Sequence, residues 1–444
     1  MTKLGTEKVG SLLLKLAIPA IIAQVVNLLY NIIDRIYIGR MDDGEVAIAG
    51  VGVTFPIIIL VGAFSLLFGM GGAPRCSMKL GIKDRAGAEE VMTASFTMLV
   101  VVSILITTLF SIFAEPLLFL FGASELTITY ATDYLGIYLW GTLFSLIAVG
   151  MNPFINTQGF ARTSMATILI GAIINIVLDP IFIFTLGMGV KGAAYATVIS
   201  QAVSAIWVIL FLRLKSDTLK LRSRFLLPKW SVVWSIVSLG IAPFVMQSTE
   251  SLVLISLNTQ LLKYGGDLAV GAMTILTSLL QIAIMPLHGI SQGLQPIVSY
   301  NFGAGNLPRV RQCIRLALLS GGCYIFILCS ALMLFPHSFV RIFTTESLLI
   351  EMTALFIPIY FLGVYIYGLQ IVCQQVFVSL GQAKISLFIA ILRKIVLLVP
   401  LIYILPNFFE DKQFGVIVSE PISDIISATT AITIFIVFYK KRLH

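Results

Sequence analysis

Charge is what this sequence has least of. Only 11% of its 444 residues are Asp, Glu, Lys or Arg, against about 25% in a soluble domain. Hydrophobic residues make up 58%, and the mean hydropathy is +1.01. Such a chain cannot coat itself for water and is an integral membrane protein. At roughly 20 to 25 residues per span plus short loops, it has room for about twelve helices and little else, which excludes a soluble catalytic domain. Histidine is scarce, with three residues, so the clustered His/Asp chemistry of a membrane lipid enzyme has no material to work with. No GxxxxGK[ST], HExxH or GxSxG run occurs, which removes support for ATP-driven pumping and the common hydrolases. The chain is expected not to be an enzyme. The five cysteines, Cys76, Cys313, Cys323, Cys329 and Cys373, are odd in number and lack a CxxC spacing, so they form neither a disulfide frame nor a metal site. No compact basic stripe with interleaved aromatics accompanies the net charge of +8, so nucleic acid is not an expected partner.

What is present is a series of long apolar runs. They place spans near 12–40, 47–74, 90–114, 130–155, 161–186, 190–212, 232–263, 268–297, 312–335, 352–379, 384–405 and 414–439. The basic start followed by an apolar run resembles a signal peptide, but the run continues through Asn27, Tyr30 and Asp34 without a small-residue cleavage pattern and reads as an uncleaved first span. Lys and Arg divide 21 to 5 between alternate loops, with Arg35, Arg393 and Lys394 inside spans. Translocated loops are poor in these residues, so both termini and the basic linker 213–229 are expected in the cytoplasm of a multi-pass cell-membrane protein, with an even number of spans.

The two halves repeat. Pro19 meets Pro243, Pro74 meets Pro296, Gly81 meets Gly303, Tyr138 meets Tyr360, Gly159 meets Gly381 and Pro180 meets Pro400, at offsets of 220 to 224 residues. Six spans per half make the repeats parallel, related by an axis along the membrane normal, with a cavity between them. The fold class is therefore all-α integral membrane, twelve helices in two pseudo-symmetric lobes, with residues 1–212 and 232–444 joined by a linker at 213–231. Gly187-Met188-Gly189-Val190-Lys191-Gly192 matches a dinucleotide fingerprint, but it follows a membrane span and lacks the later acid, so it reads as a tight turn.

The informative residues are polar ones inside spans. Gln24, Asn27, Asn31 and Asp34 recur at intervals of three and four and share one face of the first helix. Asp34 at a helix centre costs roughly 2.5 to 3.5 kcal/mol and needs a partner, a cation or a proton. Asn175 and Asp179 share a face near the end of the fifth span, where Pro180 frees backbone carbonyls. Thr197, Ser200, Gln201 and Ser204 line the sixth. In the second half Gln247, Glu250, Ser251 and Asn258 share much of one face of the seventh span, with Thr274, Thr277, Gln281, His288, Gln292 and Gln295 on the eighth. Gln24, Asn27, Asn31, Gln247, Glu250 and Gln281 are the expected cavity wall. Arg393 and Lys394 either snorkel or pair with Glu420 or Asp424.

Taken together, Pro19 with Asp34 downstream, Asn175-Ile176-Val177-Leu178-Asp179-Pro180, Gly189-Val190-Lys191-Gly192-Ala193-Ala194 leading to Thr197, and the paired loops around Gly81 and Gly303 resemble the multidrug and toxin extrusion (MATE) family, over essentially the whole chain and most of all its bacterial MepA-like members. The resemblance implies efflux of organic cations in exchange for Na+ or H+; no other cofactor is expected, and the chain is expected to work as a monomer in the lipid bilayer. It places the family's amino-terminal cation site, holding Na+ where Na+ is the coupling ion, on Asp34, Asn175, Asp179 and Thr197, its helix-bending proline on Pro19, and the seventh-span acid of some members on Glu250. The tenth-span acid of some members has no counterpart, since Gln370, Gln374 and Gln375 stand there. A lipid-linked oligosaccharide flippase of related fold is the alternative; it favours a basic cavity, whereas the intramembrane charges here are chiefly acidic.

Overall fold

A computed structural model describes residues 3–216 and 218–443, so Asp217 of the linker and both chain ends lie outside the described residues. Regular structure there is entirely helical. Among the described residues, eleven continuous helical stretches are long and apolar enough to cross a membrane, one of them running 74 residues from Trp230 to Gly303. At 1.5 Å per residue that stretch would measure about 110 Å as a rod, several times the hydrocarbon thickness. It is broken at Gly266, whose φ of 64° and ψ of −164° are open only to glycine. Two crossings result, and the spans number twelve: α1 Val9–Gly39, α2 Gly44–Gly81, α3 Arg85–Leu120, α4 Ile128–Thr157, α5 Ala161–Thr185, α6 Gly189–Lys215, α7 at 230–265, α8 at 267–303, α9 Leu307–Leu334, α10 Ser347–Ser379, α11 Ala383–Asn407 and α12 Lys412–Arg442.

Several helices overrun the apolar segments by a few residues, and two of them begin on aspartate caps, Asp84 and Asp411. Asp84 caps α3 by accepting from the Gly87 N–H at 2.8 Å and binds Lys79 at 2.9 Å; those two bonds hold its carboxyl below the usual carboxylate range. The glycine run between α5 and α6 is a turn, with Gly187 and Gly189 both at positive φ.

The repeat recurs as packing. A Cβ on Gly192 would meet the backbone of Phe182 and Ile183 within 2.7 to 2.9 Å, and one on Gly415 would meet that of Leu405 and Pro406 within 2.8 to 3.1 Å. Likewise Gly141 packs on Val198, and Gly363 on Pro421. Equivalent helices thus approach at equivalent glycines in both halves.

Small residues also make the seam between the halves, where backbones can approach closely. A Cβ on Gly81 would lie 2.2 Å from the Tyr300 carbonyl oxygen, and one on Gly303 would lie 2.2 Å from that of Met78. That reciprocity is what a two-fold relation requires. Gly240 meets Leu67, Gly71 meets Ile236, Gly289 meets Ile21 and Gly293 meets Ala17. Polar bonds add to it: Ser77 Oγ donates to the Pro296 carbonyl, Asn301 Nδ2 to that of Leu4, and Arg309 to those of Leu4 and Glu7. The start of α1 therefore shares a core with the second half, Val9, Leu12, Leu16 and Ala17 packing with Leu294, Val298 and Val310. All these contacts sit at the end of the bundle that holds the α1 amino terminus and the α2 carboxy terminus. Beyond Ile21, α1 lacks this partner, and Val25, Leu29, Ile32 and Ile36 are exposed.

Candidate functional site

Past the seam, the inner half of α1 meets α5 and α6. Asn175 and Asp179, four residues apart on α5, present side chains to the same point and are buried. The Asn175 amide donates to Asp179 Oδ1 at 3.3 Å and to Thr197 Oγ1 of α6 at 3.5 Å. The Asp34 carboxyl of α1 approaches that of Asp179 within hydrogen-bonding reach. Asp34, Asn175, Asp179 and Thr197 are thus brought together from three helices. Pro180 follows directly, and the next residues, Ile181–Thr185, form a π-turn, the irregularity expected where a proline removes a backbone bond and one that concentrates at functional sites.

The cluster is under-satisfied. Asp34 Oδ1, Asn175 Oδ1, Asp179 Oδ2 and Gln201 Oε1 are buried acceptors without a hydrogen-bond partner. Each such oxygen costs about 1 to 3 kcal/mol. Two adjacent carboxylates in low dielectric cannot both remain charged unless a proton or a cation joins them. Arg35, next to Asp34 in sequence, has its guanidinium 4.6 Å from the centre of the Phe55 ring. Among the described residues no three His, Cys, Asp or Glu side chains gather. The donor set is therefore oxygen only, two carboxylates completed by amide and hydroxyl groups, the kind that suits a hard cation or a proton.

Sequence reasoning missed two tyrosines. Tyr134 and Tyr138, four apart on α4 with rings stacked at 6.3 Å, are buried beside Thr197 and Gln201 respectively. Their i, i+4 spacing is visible, but an aromatic in a greasy helix carries no sign that its hydroxyl is used. Of the expected cavity wall, Asn27, Asn31 and Gln281 are exposed, and Gln24 and Gln247 are half-buried; the Asn31 amide donates to the Asn27 carbonyl at 2.6 Å. His288 is exposed, and α1 runs through Pro19 as one helix.

Glu250, expected on the cavity wall, carries a counter-charge. Its side chain, 47% exposed, is ion-paired with the nearly buried Lys394 of α11, which also donates to the Met246 carbonyl at 3.1 Å. Arg393 takes the other option open to it, bonding Asp424 at 2.7 Å and lying 3.8 Å from Glu420. The Tyr360 hydroxyl donates to Glu420 at 2.8 Å, and the guanidinium stacks 3.8 Å from the centre of the Tyr367 ring.

Comparison with known proteins supplies the family. The chain is 27% identical to the multidrug export protein MepA of Staphylococcus haemolyticus over 95% of its length and 92% of the relative's, and 26% identical to MepA of Staphylococcus aureus over 94% and 91%. A crystal structure of MATE in the bent conformation superposes with a TM-score of 0.92 at 23% identity, covering 99% of this chain and 97% of that one. An outward-facing multidrug resistance MATE family transporter superposes at 0.91 and 24% identity, over 99% and 97%. The MatE family model matches twice, over residues 19–181 and again over 242–404, an offset of 223 residues. With both halves of a multi-pass helical membrane protein matched in this way, the chain belongs to the MatE family.

Proposed function

We propose that the chain is a secondary active multidrug exporter that releases organic, mostly cationic compounds in exchange for Na+ or H+ entering through the cluster of Asp34, Asn175, Asp179 and Thr197. The observation that carries this reading is the set of four partnerless buried oxygens around two neighbouring carboxylates. Such a cluster is stable only when something positive joins it, so it has an occupied and an empty state of different charge, and coupling requires two such states. The multidrug export activity in the names of the staphylococcal relatives supports the substrate class. A flippase of lipid-linked pyrophosphates would want a basic cavity, and this cluster is acidic.

In this reading the seam of glycines is the surface on which residues 1–212 rock against residues 232–444. Pro19, two residues from the seam contacts at Ala17 and Ile21, is the hinge that lets the inner half of α1 follow the cluster. The wall of the opening is formed by Gln24, Asn27, Asn31, Gln247, Glu250 and Gln281. The charge asymmetry of the loops supports cytoplasmic termini and linker in the cell membrane, which makes the closed seam cytoplasmic and the opening outward. The protein works as a monomer and catalyses no covalent reaction. Uptake of a fluorescent organic cation by proteoliposomes under separately imposed Na+ and H+ gradients tests the proposal; transport indifferent to both gradients refutes it.

A further inference from the structure

The 223-residue offset of the two family matches carries Thr197 onto Glu420 and Gln201 onto Asp424. Packing supports extending it to the last spans, because Gly192 against Phe182 and Ile183 becomes Gly415 against Leu405 and Pro406 at the same shift. The tyrosine is retained too. Tyr138, which lies beside Gln201, has its counterpart in Tyr360, which donates to Glu420. The second lobe therefore has its own buried acidic cluster where the first lobe has its oxygen cluster. Asn175 and Asp179, however, fall on Leu398 and Ile402 at this shift, and on Ile395 and Val399 at the shift that pairs Pro180 with Pro400; all four are apolar, and the polar contribution from α11 comes from Arg393 instead.

The two clusters differ in satisfaction. In the first lobe four acceptor oxygens lack partners, whereas Glu420, Asp424 and Arg393 have no partnerless buried atom. Arg393 lies between the two acids, bonding one at 2.7 Å and standing 3.8 Å from the other, its own carbonyl accepts from Ser423, and Tyr367 covers its plane. The π-helical segment Leu392–Leu398 re-aims this part of α11. A guanidinium stays charged and cannot leave.

We propose that Arg393 is a tethered cation, filling in the carboxy-terminal lobe the place that an exchangeable ion takes in the amino-terminal lobe, so that one lobe exchanges the coupling ion and the other is permanently loaded. This rests on the amino-terminal site proposed above. The groups facing Arg393 are Glu420 and Asp424 of α12 and Tyr360 and Tyr367 of α10, with Lys394 and its partner Glu250 adjacent. Removing the guanidinium leaves two buried carboxylates that require a mobile cation or a proton, as in the first lobe.

The test uses full-length protein in detergent, with melting temperature followed against Na+ (choline replacing it) and against pH. In an Asp34→Asn/Asp179→Asn background, Arg393→Gln is expected to gain a saturable stabilisation by Na+ or by protons that Glu420→Gln/Asp424→Asn then removes. Absence of that gain overturns the proposal. So does a cation-dependent shift that persists in Asp34→Asn/Asp179→Asn with Arg393 intact and disappears on Glu420→Gln/Asp424→Asn. The amino-terminal reading is scored separately, by whether Asp34→Asn/Asp179→Asn abolishes the shift of the wild type. Should Arg393→Gln fail to accumulate, the neutral cluster Arg393→Gln/Glu420→Gln/Asp424→Asn in the otherwise native chain is expected to keep the wild-type ratio of ions to substrate. A lowered ratio overturns the tether.

Discussion

Replacing Asp179 with Asn keeps the size and most hydrogen bonds of the side chain while removing its charge. Asp179 accepts from Asn175 and neighbours Asp34, so an amide there can still pair with either and the fold is expected to survive. What disappears is the pair of carboxylates that cannot coexist without a positive partner. Inward movement of one charge supplies about 2.3 kcal/mol per 100 mV, worth roughly a 50-fold gradient of a neutral solute, whereas one-for-one exchange for a monovalent organic cation is electroneutral and an ion gradient of about tenfold holds the drug at about a tenfold gradient. Asp179→Asn is therefore expected to collapse that gradient toward unity, and Asp34→Asn to do the same. The assay is steady-state accumulation of a fluorescent cation in everted vesicles, with expression matched and melting temperature checked. Retention of more than half the wild-type gradient by both variants would refute the reasoning and leave the two acids as helix-helix contacts.

Glu250→Gln leaves Lys394 without its counter-charge, and removing one partner of a buried pair costs about 3 to 5 kcal/mol, a figure to be discounted here because Glu250 is about half exposed. A lowered melting temperature that Lys394→Met restores is expected, together with a larger loss of binding for cationic than for neutral drugs; equal losses would count against an electrostatic role. Pro19→Ala restores a backbone donor in α1 and is expected to leave membrane insertion intact while slowing turnover, so an unchanged rate argues against the hinge. Gly303→Val places side-chain carbons against the Met78 carbonyl, 2.2 Å from the Cβ position; it is expected to prevent the closed seam and abolish alternation, and normal transport would show that the seam is not part of the cycle. Lys220→Cys in a chain freed of its own cysteines is expected to resist an impermeant reagent applied outside intact cells; labelling would reverse the assigned orientation.

Much of the fold was legible because a bilayer imposes few options. Each span expected from hydropathy has its helix, and the turn at Gly187 to Gly189 behaves as its glycines require. The pairing of Asn175 with Asp179 was legible for a related reason, since both lie on one helix at a spacing that fixes their neighbourhood. Contacts between helices were less so. Lys394 and Glu250 are 144 positions apart, and nothing local marks Lys394 as the partner of that acid. Asp424 and Glu420 enter the sequence reading only as alternative partners of Arg393 and Lys394, because hydropathy treats a buried ion network as a flaw in a span, and Lys394 pairs with Glu250 instead. The tyrosine hydroxyls of Tyr134 and Tyr138 were invisible for the opposite reason, their rings being ordinary filler in such a helix.

The central claim is that the oxygen cluster of the first lobe takes up and releases the ion that drives transport. Equilibrium ion exchange on the purified protein tests this most directly, by measuring bound radioactive Na+ and, in unbuffered solution, protons released when an organic cation is added. The account expects about one ion exchanged per chain in the wild type and none in Asp34→Asn/Asp179→Asn, with the doubly substituted protein still folded. Undiminished exchange in that variant would contradict it.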